Sequence, residues 1–264
     1  MTEEICFGED YIGQFDSNAF VEKYYDTNVE RSDREAFVLT KLHEFYTKTT
    51  HFPPDSASIL EFGGGPTVSH LISAAPFASR IVLADYSPAA LKTTNEWKKA
   101  TPTSAETHWT AFFQYVIRNL EKNHKDDALE QRASEVKVKL SCTPCNILDE
   151  KPLGKDDYDN YFDVVSSSFC LEVACPTNDR FISSVQKLAK LLKGSGSWFV
   201  LNCVLGERRY PVGEKMFFTL PLTEDLVKEA LDKAGFRLIN FDKISLIRKE
   251  KGAIAACHAV GQLI

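Results

Sequence analysis

The sequence has no apolar run long enough to cross a membrane and no block of basic residues. A membrane helix needs roughly 20 apolar residues, whereas the longest candidate, residues 198–205, is strand-sized and contains Asn202. Acidic residues (37) outnumber basic ones (31), and the basic residues form only short pairs. This charge pattern lacks the footprint of a nucleic-acid binder. We therefore expect a small-molecule partner, with no nucleic acid, no membrane and no obligate protein partner.

Disulfides and zinc are also not expected. The seven cysteines are an odd number, and a chain of 264 residues can bury a core without covalent crosslinks. The pair Cys142-x-x-Cys145 has no second pair that would complete a zinc site. The first residues, Met-Thr-Glu-Glu-Ile, lack the pattern of a signal peptide. These features predict free thiols, no metal and a cytoplasmic location.

Strand and helix patterns alternate along the chain. Buried-type apolar runs predict strands at 58–62, 80–84, 143–148, 162–169 and 197–205. Helical periodicity predicts helices at about 68–75, 88–99, 109–120, 181–192 and 223–234, the last with Thr223 as its N-cap. The polar stretch 122–132 reads as a solvated helix or loop, and 237–247 with 253–262 as an antiparallel strand pair. The pattern predicts one α/β domain over 1–264, with a doubly wound, mostly parallel sheet.

A glycine turn, Gly63-Gly64-Gly65, follows the first predicted strand, and Asp85 ends the next strand twenty residues later. Glycines let backbone N–H groups approach a ligand, and a carboxylate at this distance can bind a ribose. A dinucleotide fingerprint would need glycine where Val68 stands. The acidic Glu61 before the turn suits a cation such as the sulfonium of S-adenosylmethionine. A nucleoside-containing ligand is expected, and a dinucleotide oxidoreductase stays open as an alternative.

Several motifs in this order resemble one family. They are Phe20-Val-Glu-Lys-Tyr-Tyr25, Gly63-Gly-Gly-Pro-Thr67, Asp85-Tyr-Ser87, Phe169-Cys-Leu-Glu-Val-Ala-Cys-Pro176, Leu191-Leu-Lys-Gly194 and Tyr210-Pro-Val-Gly-Glu214. The chain resembles, from about residue 15 onwards, the nicotinamide, phenylethanolamine, indolethylamine and thioether methyltransferases. The resemblance implies a Rossmann-like class I methyltransferase fold, with residues 1–50 as a helical cap over the active site. It also implies N-methylation of a small amine or pyridine with S-adenosyl-L-methionine as methyl donor.

The resemblance also implies which residues bind this cofactor. Phe20 and Tyr25 would close over it, and Gly63, Gly64, Gly65 and Thr67 would line its methionine end. Asp85, with Tyr86 and Ser87, would hold the ribose, and Asn146 and Ile147 would bind the adenine. Ser168 would contact the cofactor as a family threonine does. Ser69 and Ala90 replace a family tyrosine and asparagine, which should loosen binding without abolishing it.

On the acceptor side, the resemblance implies two catalytic carboxylates. Glu172 and Glu207 would anchor an ammonium group and accept its proton, although Glu207 could instead be a solvated charge beside two arginines. Asn202 stands where the nicotinamide-specific relative has an aspartate for the amide. The remaining acceptor-pocket residues are Tyr24, Phe169, Cys203, Tyr210 and Thr219. Two further alternatives are a thioether or other heteroatom acceptor and a non-catalytic S-adenosylmethionine-binding protein.

Overall fold

The computed structural model describes residues 5–25, 29, 32–100, 108–154, 158–246 and 254–264. The described strands are β1 (Ile5–Cys6), β2 (Ala57–Phe62), β3 (Ala78–Asp85), β4 (Leu140–Pro144), β5 (Val164–Ser168), β6 (Trp198–Leu205), β7 (Arg209–Val212), β8 (Lys215–Phe218), β9 (Phe236–Leu246) and β10 (Ile254–Leu263). The described α-helices are α1 (Tyr11–Gln14), α2 (Ser17–Tyr24), α3 (Asp33–Glu44), α4 (Pro88–Lys99), α5 (Thr110–Gln114), α6 (Ala128–Lys139), α7 (Leu171–Ala174), α8 (Asn178–Ala189) and α9 (Glu224–Lys233).

Seven strands form the main sheet in the order β4-β3-β2-β5-β6-β10-β9. The first five are parallel, and β10 pairs antiparallel with both β6 and β9. This confirms the predicted doubly wound, mostly parallel sheet and its antiparallel C-terminal strand pair. Because the carboxyl ends of parallel strands meet at one edge, the segments that follow β2, β3 and β5 lie together, where such sheets bind ligands.

Apolar residues cover both faces of this sheet. In β2, Ile59 belongs to the cluster on one face, whereas Leu60 and Phe62 belong to the cluster on the other. All six residues of β2 are buried, as expected for a strand of a parallel sheet between two helical layers. No helix within the described ranges has both the length and the apolarity that a membrane span requires.

A second, three-stranded sheet with the order β1-β8-β7 lies outside the predicted elements. The β7–β8 hairpin pairs antiparallel, and β1 adds to β8 in parallel. Phe217 of β8 packs against Tyr11 and Phe15 from the N-terminal segment. This sheet therefore joins the N-terminal residues to the hairpin that follows β6. The division into one domain with residues 1–50 as its cap stays a prediction.

Two predicted elements have wrong bounds or type. The 68–75 periodicity marks a buried segment, but only a 3-10 turn, Ser69–Leu71, forms there before further turns. The strand predicted at 143–148 is β4, which ends at Pro144. Beyond it the Asn146 side chain accepts a hydrogen bond from the Leu148 N–H (3.0 Å), a local turn that competes with extension of the strand.

The other differences concern helices and strand ends. Helix α6 occupies Ala128–Lys139, so the second half of the stretch interpreted as solvated helix or loop begins a regular helix. Helix α5 continues as a π-helical segment, Tyr115–Leu120, within the range predicted to be helical. Residues 247 and 253, at the facing ends of the two predicted C-terminal strands, lie outside the described residues.

The predicted N-cap of helix α9, Thr223, can be tested by mutation. Thr223 Oγ1 accepts a hydrogen bond from the Leu226 N–H (3.2 Å), as the N-cap prediction requires. Thr223→Ala should lower the free energy of unfolding by about 1 kcal/mol, because an N-terminal amide loses its partner. Thr93→Ala is the matched control: this threonine lies inside α4 and donates to the Ala89 carbonyl, so alanine should not destabilise. Urea denaturation measures both changes, and equal losses would contradict the capping role.

Candidate active site

A cavity opens at the carboxyl edge of the main sheet, and most of the predicted site residues line it. These are Phe20, Tyr24, Tyr25, Gly63, Gly64, Gly65, Asp85, Tyr86, Ser87, Asn146, Ile147, Ser168, Phe169, Glu172, Glu207, Tyr210 and Thr219. They come from the N-terminal segment, from the ends of β2, β3 and β5, and from the segments after β4 and β6. The fold thus brings together the two groups of residues that the sequence assigned to cofactor and acceptor.

The glycine turn is shaped by contact with the segment that follows β5. Gly63 has φ +70°, and a Cβ on it would lie 2.0 Å from Cys170 Sγ and 2.3 Å from Cys170 Cβ. The N–H groups of Gly63 and Gly64 both donate to the Ala84 carbonyl, at 2.7 and 3.1 Å. Glycine is therefore required at position 63 by both space and backbone conformation.

Asp85 sits beside this turn. Its carboxylate accepts hydrogen bonds from the Gly65 N–H (2.7 Å) and the Ser87 N–H (2.8 Å). Burial raises the pKa of Asp85 to about 6, although these backbone donors act in the opposite direction. A carboxylate has more acceptor sites than these two bonds use, and Asp85 lines the cavity. It can therefore also accept hydrogen bonds from ligand hydroxyls.

Three residues predicted to touch the cofactor lie behind the turn and do not line the cavity. The hydroxyls of Thr67 and Ser69 hydrogen-bond to each other (2.8 Å), and both residues are buried. Ala90 is fully buried in the first turn of α4, where its N–H donates to Ser87 Oγ (3.3 Å). Glu61 is buried too, and its Oε1 lies 3.4 Å from His70 Nδ1. The structure thus places Thr67, Ser69 and Ala90 outside the cavity lining, which corrects the direct contact predicted for them.

Asn146 and Ile147 reach the cavity from the turn after β4. The Asn146 carboxamide donates to Asp149 (3.0 Å) and accepts from the Leu148 N–H. Its oxygen keeps one lone pair for a ligand amine. The side chain that the sequence assigned to adenine recognition is thus held in place by its own turn.

Glu172 is the most distinctive group on the acceptor side. The side chain is 2% exposed, and its Oε1 accepts a hydrogen bond from the Val204 N–H (2.9 Å). Its Oε2 is buried without a hydrogen-bond partner among the described residues. Burial, with a smaller contribution from the neighbouring Glu207 charge, raises the pKa of Glu172 to about 7. A buried carboxylate with an unpaired oxygen is suited to bind a cation or take up a proton.

Glu207 and Thr219 complete the polar part of this wall. Glu207 is buried and lines the cavity, whereas its neighbours Arg208 and Arg209 are exposed. The alternative of a solvated loop charge is therefore wrong. Thr219 is 1% exposed, and its Oγ1 has no hydrogen-bond partner within the described ranges. Thr219 therefore adds a buried hydroxyl, without a partner in that part of the chain, to the wall of the cavity.

Aromatic rings surround these polar groups. The hydroxyl of Tyr24 donates to the Pro211 carbonyl (2.8 Å), and its ring lies 6.0 Å from the Tyr210 ring. The Tyr210 hydroxyl bonds to that of Tyr11, which the sequence did not single out. Phe169 has φ +57°, a left-handed conformation that is uncommon for an aromatic residue. These rings give the pocket apolar walls next to Glu172.

Two predicted acceptor residues lie elsewhere. Cys203 is fully buried on the opposite face of β6, among the apolar residues of the second cluster, and contacts Cys257. Asn202 is fully buried as well, and its carboxamide bonds to Ser168 and His258. Neither residue lines the cavity, so the structure corrects both assignments. All seven cysteines are free thiols.

Sequence reasoning missed Arg34, a charged residue in the cavity wall. Its Cζ lies 4.9 Å from the Phe169 ring centroid and 5.4 Å from that of Tyr24. Arg34 Nε donates to Glu35 (2.7 Å), and although burial opposes the charge, Glu35 holds the pKa of Arg34 above its usual value. A cation in the first turn of a helix opposes the helix dipole, and that conflict was the available signal.

Comparisons with known proteins fit this geometry. The model of the NNMT/PNMT/TEMT family matches residues 3–258. Nicotinamide N-methyltransferase of Homo sapiens is 30% identical, over 89% of this chain and 87% of the human protein. Indolethylamine N-methyltransferase of Mus musculus is 26% identical, over 92% and 90% of the two chains.

The chain belongs to the NNMT/PNMT/TEMT family.

It is a small-molecule N-methyltransferase that uses S-adenosylmethionine, as the resemblance implied. The N-methyltransferase NodS from Bradyrhizobium japonicum WM9, solved with S-adenosyl-L-homocysteine, aligns with a TM-score of 0.53 at 11% identity, over 94% of this chain and 98% of that one. This likeness shows the class I methyltransferase fold. The described residues of this family member fit the cofactor, because the space beside Gly65 is open and Asp85 lines the same cavity.

The contact between Gly63 and Cys170 can be tested by adding a Cβ at position 63 and then removing the Cys170 side chain that it would overlap. Gly63→Ala should lower the free energy of unfolding by about 2–4 kcal/mol, from overpacking and left-handed strain, and weaken S-adenosylhomocysteine binding. Adding Cys170→Gly removes the two atoms nearest the new Cβ and should restore part of both losses.

Gly65→Ala is the matched control for stability, because in the protein without ligand its Cβ would meet open space and only the strain of about 1 kcal/mol remains. Urea denaturation and calorimetry measure the two quantities. If the double variant were no better than Gly63→Ala, the steric account would be wrong.

Proposed function

We propose that this enzyme methylates the nitrogen of a small arylalkylamine. The observation that carries the proposal is Glu172, which lines a cavity with aromatic walls and whose buried carboxylate has one oxygen, Oε2, without a partner among the described residues. A protonated amine next to an aromatic group matches both features, because the carboxylate binds the ammonium and the rings pack against the apolar part. Indolethylamine N-methyltransferase, a relative of 26% identity, is named for such an acceptor.

Glu172 would serve both binding and proton transfer. An ammonium group has no lone pair, so it must lose a proton before its nitrogen can attack. A carboxyl group of pKa about 7 can accept that proton near neutral pH, where general bases work best. Glu207, in the same wall, would add a second negative charge for the ammonium. The bound cofactor supplies the methyl group from its sulfonium.

The remaining residues of the cavity would bind and orient the two ligands. Asp85 would accept the ribose hydroxyls, and Phe20 with Tyr25 would close the cavity over the cofactor. Tyr24, Phe169 and Tyr210 would align the acceptor, with its nitrogen towards Glu172. Positioning of this kind can lower a barrier by about 7–11 kcal/mol, so no stronger base is needed. Free thiols throughout the chain support the proposed cytoplasmic location, and we propose no nucleic-acid, membrane or obligate protein partner.

A pyridine acceptor is the second candidate. The human nicotinamide N-methyltransferase is 30% identical to this chain, and the buried hydroxyl of Thr219 could bond to an amide. Asn202 argues against this candidate. It was expected to bind the amide of nicotinamide, but it bonds to Ser168 and does not line the cavity. A thioether acceptor would leave Glu172 without a cationic partner.

The proposal is tested with the purified enzyme, S-adenosylmethionine and a pool of nicotinamide, pyridine, arylethylamines and alkyl thioethers. Mass spectrometry should find a single added methyl group on an arylethylamine. Methylation of nicotinamide alone would favour the second candidate. Measurable cofactor binding without any product would contradict the arylalkylamine assignment for every amine in the pool.

The role of Glu172 predicts a difference between acceptors. Glu172→Gln should lower kcat/KM for an arylethylamine by about a hundredfold, because both the charge and the proton acceptor are lost. Methylation of a pyridine, which carries no proton to remove, should change far less. Steady-state kinetics with both acceptors measure the difference, and equal losses would show that Glu172 has no such role.

The pH profile gives an independent test. For an arylethylamine, log(kcat/KM) should rise as pH increases through about 7, because the free enzyme needs Glu172 in its ionised form. Glu172→Gln should remove this rising limb. Glu207→Gln should keep the limb but move it to lower pH, because the Glu207 charge helps to raise the pKa of Glu172. A limb that survives Glu172→Gln would belong to another group.

A further inference from the structure

A row of polar side chains crosses the main sheet behind the cavity. Ser168 on β5, Asn202 on β6 and His258 on β10 are register partners on adjacent strands. Partners in register project to the same face of a sheet. All three side chains are buried, with 5%, 0% and 1% exposure. Of the three, Ser168 lines the cavity, so the row ends at the cavity wall.

The hydrogen bonds in this row have a definite direction. His258 Nδ1 lies 2.7 Å from Asn202 Oδ1, an oxygen that only accepts, so Nδ1 carries the proton and donates it. Burial lowers the pKa of His258 to about 4, and the ring is therefore neutral at neutral pH. With Oδ1 facing the histidine, the other end of the carboxamide faces Ser168. Asn202 Nδ2 donates to Ser168 Oγ over 2.9 Å.

This direction fixes what Ser168 offers to a ligand. Its oxygen accepts from Asn202, so its own proton must point elsewhere, and in the described part of the chain the side chain makes no other hydrogen bond. Ser168 lies close to the glycine turn, because Cys170, two residues later, contacts Gly63. The cofactor has an ammonium and a carboxylate at its methionine end. The ammonium only donates, so a serine that donates pairs with the carboxylate.

We infer that His258 and Asn202 are positioning residues that make the Ser168 hydroxyl a hydrogen-bond donor to the carboxylate of bound S-adenosylmethionine. The inference concerns the cofactor and does not depend on the acceptor proposed above. His258 touches no ligand; it acts by orienting the carboxamide of Asn202. An aspartate at position 202 would act in the opposite way, because a carboxylate accepts the Ser168 proton and removes it from the cavity.

Calorimetry with two ligands tests the contact. S-adenosylhomocysteine has the amino-acid carboxylate, whereas 5′-methylthioadenosine lacks the whole amino-acid end. Ser168→Ala should weaken S-adenosylhomocysteine about tenfold, the loss of one charge-assisted hydrogen bond, and leave 5′-methylthioadenosine within twofold. Ser167→Ala is the matched control: it lies one residue earlier on the strand, points to the opposite face and is fully buried. It should change neither constant.

A double-variant cycle tests the direction of the bonds. Asn202→Asp should weaken S-adenosylhomocysteine as much as Ser168→Ala does, and the two changes together should weaken it no further. A merely structural role would instead give additive losses and would lower the affinity for both ligands. His258→Leu should reduce the preference for S-adenosylhomocysteine over 5′-methylthioadenosine. His258→Gln, which retains an N–H donor, should restore that preference.

The ratio of the two affinities keeps the test valid if a variant is less stable, because a fraction of unfolded protein affects both ligands equally. An unchanged ratio in Ser168→Ala would overturn the contact with the carboxylate. An undiminished effect of Ser168→Ala in the Asn202→Asp background would overturn the assigned direction of the hydrogen bonds.

Discussion

The contact of Gly63 with Cys170 joins the two halves of the active site. Gly63 begins the turn on the proposed cofactor side of the cavity, and Cys170 lies between Phe169 and Glu172, which line the proposed acceptor side. Because Gly63 has no Cβ, the two segments pack directly against each other. Methyl transfer requires the donor carbon and the acceptor nitrogen in line, and a misplacement of about 1 Å can cost roughly a hundredfold in rate. A steric constraint between two backbone segments therefore sets the distance on which the reaction depends.

The charged groups of the cavity bear on the same alignment of methyl donor and acceptor. The cofactor brings a sulfonium, and an ammonium beside it would be repelled, so an amine acceptor can approach only where negative charge is available. In the proposed function Glu172 and Glu207 would supply it, and burial keeps the pKa of Glu172 near 7, where the group can exist in either state. Arg34 lies in the same wall, where it pairs with Glu35 and stacks on Phe169. Proton transfer from an ammonium group to Glu172 would neutralise both groups, so it would leave the net charge of the cavity unchanged.

The sequence could predict the elements whose signal is local. The run before Gly63, the turn itself and Asp85 at the end of the next strand stand in order along the chain, and the structure places them together. Residues whose position depends on pairing between strands could not be read in this way. Neighbours on β6, Asn202 and Cys203 point to opposite faces, and neither reaches the cavity; β1, with two residues, has no periodicity at all. The apolar periodicity of 68–75 indicated that the segment is buried, but it could not distinguish a buried 3-10 turn from a buried α-helix.

Asn202 shows why such a position resists assignment from a single substitution. Read alone, asparagine in place of aspartate removes a charge and keeps a similar shape. In the sheet, the carboxamide lies between His258 and Ser168, and it can donate on one side only because it accepts on the other. Aspartate has no donor to offer Ser168. Buried polar groups are costly unless each has a partner, so the identity of one residue fixes the bonding of the next along the row. The substitution therefore affects the polarity of the cavity wall two strands away from His258, and not just the charge at position 202.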